Sequence, residues 1–480
     1  MATPLQAAFT GGELTPALHV RVDLAKYLTS LKTCRNFFVR RTGGVSTRPG
    51  FQFISKAGQH SATSRLIRFV FSRTQSYLLE FGDGYVAFIA NGGRVLDGTT
   101  AAISAVTTAS VFTVTTTAPH GWSSGQLVGI SGAVGTGAIG ELNGDHRITV
   151  TGVSTFKVPR VTMSTAAWVS GGTVTGYLTV STPYTQADLP HLRVTQSADV
   201  ATIVLRGTPQ YELRRESGTS FTLAAVEYKD GPFQDVNTDD SVKIYASAET
   251  GTVSLVSTGD VFEAGHVGGL IRLDSENYED DQWQPADGYT AGQRVRHGVN
   301  VYVATQWSGN SGSVPPTHTE GREWDGNAGH SWQWEYLHSG YGVARILTVS
   351  DSKHATAKIL SRLPLEVVGG ATTAYGPWTM TGDGVDVTLA AATATSDSSA
   401  DYEVTFDGVI QDEIEYSVDA TANVITFATA PGTGVAVSAR QLTLNRRTST
   451  WYLGAWSDVQ GYPGAASFYN SRLIFAGTTD

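Results

Sequence analysis

The sequence predicts a mainly β protein with few short helices. Charged residues make up only 16% of the 480, against about 25% in an average soluble domain, which argues against long charged helices. Glycine occurs 53 times, and that abundance supplies tight turns. Long stretches are rich in Thr and Val, residues that suit a pleated, half-buried strand. At 480 residues, the length predicts about three domains, give or take one.

The elements follow in chain order. Residues 1–60 read as an N-terminal docking segment with little core of its own. Leu24, Tyr27, Leu28 and Leu31 follow helical spacing, and Asp23 is placed to cap that turn. Asn36-Phe37-Phe38-Val39, Gly43-Gly44 and Arg48-Pro49-Gly50 are turn chemistry. Residues 61–100 begin a framework: RLIRFVFS alternates, SYLLEF follows, and YVAFIANGGRVL is a hairpin around Asn91-Gly92-Gly93. Residues 101–180 are a Thr/Val/Gly-rich inserted β module, and 181–230 resume the framework. Residues 231–282 are an acidic framework region; the wider span 227–287 holds 14 Asp/Glu against three Lys/Arg. Residues 283–341 are a Trp-rich insert, 342–374 are framework strands, and 375–445 are a second Thr/Ala/Val/Asp-rich insert. Residues 446–480 return to the framework. Leu473-Ile474-Phe475-Ala476 needs a pairing partner, from an earlier strand, another subunit, or a natural chain running past Asp480.

Composition and motifs exclude several classes. No apolar run of about 18 residues predicts a transmembrane helix. The start lacks the charged and apolar regions of a secretory signal. One cysteine, Cys34, excludes an internal disulfide framework and a Cys-based zinc cluster, and fits synthesis in a reducing cytoplasm. No Walker A loop or HExxH occurs. Gly309-Asn310-Ser311-Gly312-Ser313 resembles a serine nucleophile site only loosely; it lacks the final glycine and a following helix, so it reads as a loop. Asp239-Asp240 and Asp280-Asp281 are adjacent acids, which point to opposite faces of a strand and make no glycosidase pair alone. His318, His330 and His338 lack a second metal-ligand motif. The expectation is a non-enzyme with no catalytic, cofactor-binding or metal residues.

Charge is uneven. Residues 1–100 hold twelve Lys/Arg and five Asp/Glu, a net of +7, and the remainder carries −17. The basic start therefore faces an acidic partner: another protein, nucleic acid, or this chain's own acidic part.

The Trp-rich insert holds Trp283, Trp307, Trp324, Trp332 and Trp334, five of the ten tryptophans. Flat exposed aromatics stack on sugar rings, whereas a small β module can also use Trp to fill its core. Tyr289 to Ala304 reads Y-x-x-G-x-x-V and then Y-x-A, followed by Pro315-Pro316 and the Trp332/Trp334 pair. That pattern resembles the small chitin-binding type of carbohydrate-binding module. Tyr302, Trp307, Trp324, Trp332 and Trp334 are the candidate glycan or fibre contacts.

The framing segments carry a second resemblance. Phe9-Thr10-Gly11-Gly12-Glu13-Leu14-Thr15-Pro16 precedes Arg21-Val22-Asp23 and Tyr27. Cys34-Arg35-Asn36-Phe37, Gly43-Gly44-Val45, Arg48-Pro49-Gly50 and Phe53-Ile54 follow, then Arg65-Leu66-Ile67, Phe69 and Tyr77-Leu78-Leu79-Glu80-Phe81. Later pieces are Gln196-Ser197-Ala198-Asp199, Pro209-Gln210-Tyr211-Glu212-Leu213-Arg214 and Ala466-Ser467-Phe468-Tyr469 with Arg472 to Gly477. This order looks like the tail nozzle (tail tubular protein B) family of short-tailed bacteriophages, over 5–96, 184–230, 343–368 and 450–480. The block from Ala118-Pro119-His120-Gly121 to Phe156 resembles a small β module of tail proteins. The block from Tyr402 to Ala430-Pro431 resembles a β module of tail-fibre adaptor regions.

The family resemblance implies a β-propeller-like framework carrying small β-sandwich or barrel modules. It implies a structural virion protein: a homo-oligomeric, hexameric ring around the DNA ejection channel of the tail, assembled in the host bacterial cytoplasm. The ring would hold a tail adaptor protein, dock tail fibres or spikes, and let double-stranded DNA pass without tight binding. Arg21, Arg35, Arg40, Arg41 and Arg48 are the candidate contacts to the adaptor or a neighbouring subunit. The competing expectation is a glycan-binding tail protein or depolymerase that reads host surface sugars through the Trp-rich insert.

Overall fold

The computed structural model describes residues 5–58, 62–108, 111–159, 165–276, 278–306, 309–326, 332–399, 402–411 and 413–478. The fold is mainly β, and its described helical elements are one-turn 3-10 segments such as Pro16–Leu18 and Ala25–Thr29. None of those helices is long and apolar enough to cross a membrane.

Two antiparallel meanders form the first body. Strands Arg65–Val70, Ser76–Gly82 and Tyr85–Ala90 pair in sequence, and Thr179–Ser181 joins the last of them. Gly84 adopts φ +74° in the two-residue turn after Gly82, a left-handed conformation that glycine enters without a Cβ penalty. The second meander runs Arg193–Ser197, Val200–Leu205, Thr208–Ser217 and Ser220–Ala225. Alternation turns Leu79, Phe81, Ile203 and Leu213 into one core shared by both sheets. Phe88 and Phe221 stack across it at 4.2 Å. The Gln196 amide clamps the edge strand by accepting from Val70 N–H and donating to Val70 C=O, both at 2.9 Å.

Between Tyr85–Ala90 and Thr179–Ser181, the described strands from Leu96 to Tyr177 form a seven-stranded sheet of their own and a two-stranded one, Val134–Gly137 with Ala166–Ser170. Strand Val111–Thr116 explains its lack of charge: Phe112, Val114 and Thr116 are buried while Val111, Thr113 and Thr115 are half-buried. Phe112 and Val114 share the inner face with Thr116, and Thr113 and Thr115 share the outer face with Val111.

The second body is a six-stranded sheet. Its order is Ile244–Ala246, Thr252–Ser257, His354–Ser361, Tyr341–Asp351, Leu270–Asp274 and Trp451–Leu453. Strands far apart in sequence thus share one core of Ile244, Leu255, Ile271, Ile346 and Ala357. Two excursions leave this sheet and return to where they left. Asp274 pairs with Tyr341, so the Trp-rich excursion begins and ends on adjacent strands. Val368 bridges to Ala246 and Thr448 to Ile244, so the later excursion also closes on one strand. That excursion pairs a four-stranded with a three-stranded sheet around Leu389, Tyr402, Ile425 and Phe427.

Strand Arg472–Ala476 finds its partner immediately upstream, in Ala465–Tyr469. This hairpin reaches the second meander through Thr195 Oγ1, which donates to Ala466 C=O at 2.6 Å.

The expected helical turn near Leu24 is a 3-10 turn over Ala25–Thr29, and its cap is corrected. Leu24, in an extended conformation, precedes the turn and no side chain caps it. Asp23 instead accepts twice from Arg21, at 2.8 and 2.6 Å. A bidentate guanidinium is the stronger competitor for that carboxylate.

Candidate functional site

Residues 5–54 form an arm. Short pairs hold it, with Gly12–Glu13 parallel to Ser30–Leu31 and Phe37–Val39 antiparallel to Val45–Thr47. Among the described residues, its hydrogen bonds stay within the arm. Its root is tied to the first meander by two backbone groups. Gly58 N–H donates to Glu80 at 2.7 Å, and Lys56 C=O accepts from Arg94 at 2.7 Å.

The arm leaves apolar side chains in solvent. Leu5 is 87% exposed, Val20 83%, Phe51 90% and Phe53 76%. Val22, Leu28, Phe37 and Phe38 are exposed as well. Eight large apolar side chains exposed on one segment make it a candidate interaction surface.

Of the five arginines, two are held locally. Arg21 chelates Asp23, which raises the guanidinium and lowers the carboxyl from their ordinary values. Arg48 Nε donates to Asn36 Oδ1 at 2.8 Å, and its guanidinium lies 4.3 Å from the Phe51 ring centre. Arg35, Arg40 and Arg41 are exposed and have no side-chain partner among the described residues. Arg40 and Arg41 sit at the tip of the Phe37–Val39/Val45–Thr47 hairpin, presenting two adjacent cations.

The aromatic expectation divides. Tyr302 is 0%, Trp332 1% and Trp334 0% exposed. They form the core of the Trp-rich sheet with Trp283, Tyr289 and Val295. Their polar ends are turned to internal partners: Trp334 Nε1 donates to Asp325 Oδ2 at 3.0 Å, Trp332 Nε1 to Gly309 C=O at 2.8 Å, and Tyr302 Oη to His318 C=O at 2.9 Å. A sugar platform needs an open ring face, so these three are corrected from contact residues to core residues. Trp324 is half-buried at the end of strand Arg322–Trp324. Trp307 lies outside the described residues, as does His330.

Other candidates resolve into structural roles. Ser311 is buried; its Oγ donates to Gln284 C=O at 2.8 Å and accepts from Asp287 N–H at 3.1 Å, the wiring of a loop clamp. Asp239 Oδ1 accepts from both the N–H and the hydroxyl of Ser241. Burial, then the nearby Glu366 carboxylate, pushes Asp280 up to about 6. Burial pushes His338 down to about 4. No group of three His, Cys, Asp or Glu among the described residues is placed to hold a metal ion.

Sequence reasoning missed what the acids do. Glu249 accepts from Arg294 at 2.6 Å and also pairs with Arg362, so it holds the Trp-rich sheet against the six-stranded one. Burial raises its carboxyl, but the two guanidiniums outweigh that and leave it lowered. Glu279 pairs with Arg446 at 2.6 Å, and Glu276 collects Ser449 Oγ at 2.7 Å and Thr450 N–H at 3.0 Å. Much of the acidic region is therefore fastening between segments. Asp235, Asp239, Asp240, Asp260 and Glu263 remain exposed. Compared with known protein families and with curated proteins, the chain matches none.

Proposed function

We propose that the chain is a structural subunit of a short bacteriophage tail, assembling with its own copies into a nozzle ring around the DNA ejection channel. The arm of residues 5–54 carries this reading. Its apolar side chains are exposed to solvent, and Arg35, Arg40 and Arg41 have no side-chain partner among the described residues. A surface of that kind is expected to be covered in an assembly. Two face-packed meanders, with the hairpin of Ala465–Tyr469 and Arg472–Ala476 against the second, are read as successive blades of a propeller-like framework.

Such a role needs no catalysis. It needs stiff walls, which hydrogen-bonded sheets and buried ion pairs supply. It also needs a lining that does not grip phosphate, for which exposed acids such as Asp239 and Asp240 are suited. The inserts are read as decoration docking an adaptor, fibres or spikes. The sugar-reading alternative is weakened by the interior position of Tyr302, Trp332 and Trp334.

Electron micrographs of the purified chain test the proposal. A closed ring supports it; a monomer that binds or hydrolyses cell-surface glycan refutes it. Charge reversal at Arg40 and Arg41 is expected to abolish incorporation into tails, and unchanged incorporation would remove those residues from the interface.

A further inference from the structure

A cleft of about 480 Å³ lies where the second meander, the six-stranded sheet and the C-terminal segment meet. Ala224 and Ala225 line it, at the end of the outer strand Ser220–Ala225 of the meander. Its walls include Pro232, Tyr228 and Trp456, whose two rings meet edge-on at 4.7 Å. Three polar atoms of its lining residues are buried with no partner: Tyr228 Oη, Gln210 Nε2 and Arg345 Nε. These atoms are closed off from solvent, so the surface open to an occupant is the apolar one of Ala224, Ala225, Pro232 and Trp456. Glu227 and Asp458 also line the cleft. The Arg345 guanidinium is already engaged, by Glu227 at 3.4 Å and by Tyr228 C=O at 2.7 Å.

The arm holds a segment of matching chemistry. Residues 48–57 have no regular secondary structure. They carry Phe51 and Phe53, 90% and 76% exposed, between the cations Arg48 and Lys56. When such a segment is extended, residues two apart project to one side. Two phenyl rings then face the cleft's apolar wall together. The wider charges agree: residues 1–58 hold eight Lys/Arg and two Asp/Glu, a net of +6, and the remaining 422 carry −16.

We infer that the cleft receives residues 48–56 of a second copy of this chain, so that each arm reaches into its neighbour. The contact is heterologous, joining two different patches, and repeats head to tail until a ring closes. It rests on the ring reading above and specifies which surfaces make the ring.

The test places Phe53→Cys and Ala225→Cys in the full chain with Cys34→Ser, and oxidises it mildly. A ladder of disulfide-linked oligomers on a non-reducing gel is expected, absent in either single-cysteine chain. Phe51→Ala with Phe53→Ala is expected to weaken self-association roughly a hundredfold or more, read by light scattering across a dilution series. A disulfide formed only within one copy overturns the inference. Normal rings with no cross-link and full assembly of the double-alanine chain overturn it too, while leaving the ring reading intact. A chain that stays monomeric at every concentration overturns both.

Discussion

Replacing Glu80 by alanine should loosen both the root of the arm and the seat of the first insert. Glu80 is 3% exposed. Its Oε1 accepts from Gly58 N–H at 2.7 Å, Tyr85 Oη at 3.0 Å and Ser64 Oγ at 3.2 Å. Its Oε2 accepts from Arg94 at 2.7 Å, and Arg94 passes the connection to Asp145 at 3.1 Å. Breaking a buried pair costs about 3–5 kcal/mol, because the surviving charge is stranded. Asp145 still compensates Arg94, which puts the expected loss near the low end, about 3 kcal/mol. In a cooperative unit of about 150–250 residues that loss lowers Tm by roughly 6–12 °C. The Gly58 amide should also exchange its hydrogen faster, since its acceptor is gone. Glu80→Gln keeps the shape and removes the charge, so an intermediate loss is expected. Calorimetry and hydrogen exchange read both effects. A Glu80→Ala chain melting within about 1 °C of the parent, with Gly58 equally protected, would refute the reasoning.

Other outcomes follow from the same structure. Trp334→Ala should destabilise the Trp-rich sheet by about 3–5 kcal/mol. Trp334→Phe should cost about 1–3 kcal/mol, because Asp325 loses the indole donor; denaturant titration checks both, and stability equal to the parent would return Trp334 to the surface. Asp280, pushed up from 3.8 to about 6, keeps a proton in the folded chain that the unfolded chain has released. Its contribution therefore falls as pH rises from about 4 to about 6 and stays low above that. Asp280→Asn should then add about 1 kcal/mol at pH 8, after solvent screening, and little at pH 4. Equal shifts in melting at both pH values would contradict it. His338, pushed down to about 4, has the opposite sign: its contribution is lost as pH falls from 6.5 towards 4.

What the sequence determined by itself is the local pattern. Alternation at Arg65–Val70 and Val111–Thr116, the Asn91-Gly92-Gly93 turn and the low charge of the inserts depend on chain neighbours, so the mainly β class was legible. The exposed basic start was legible as a charge excess. The tertiary structure decided what lies across from each strand. Trp332 and Trp334 have the same composition whether they face a sugar or Trp283 and Tyr289, and only packing across the sheet puts them inside. Asp239 and Glu249 look alike as acids, yet Arg294 and Arg362, distant in sequence, make Glu249 a fastener. Strand Ile244–Ala246 receives Val368 and Thr448, so the return point of an excursion rests on contacts that no local window contains. Periodicity is written between neighbours; burial, pairing and clefts come from segments that meet only in the folded chain.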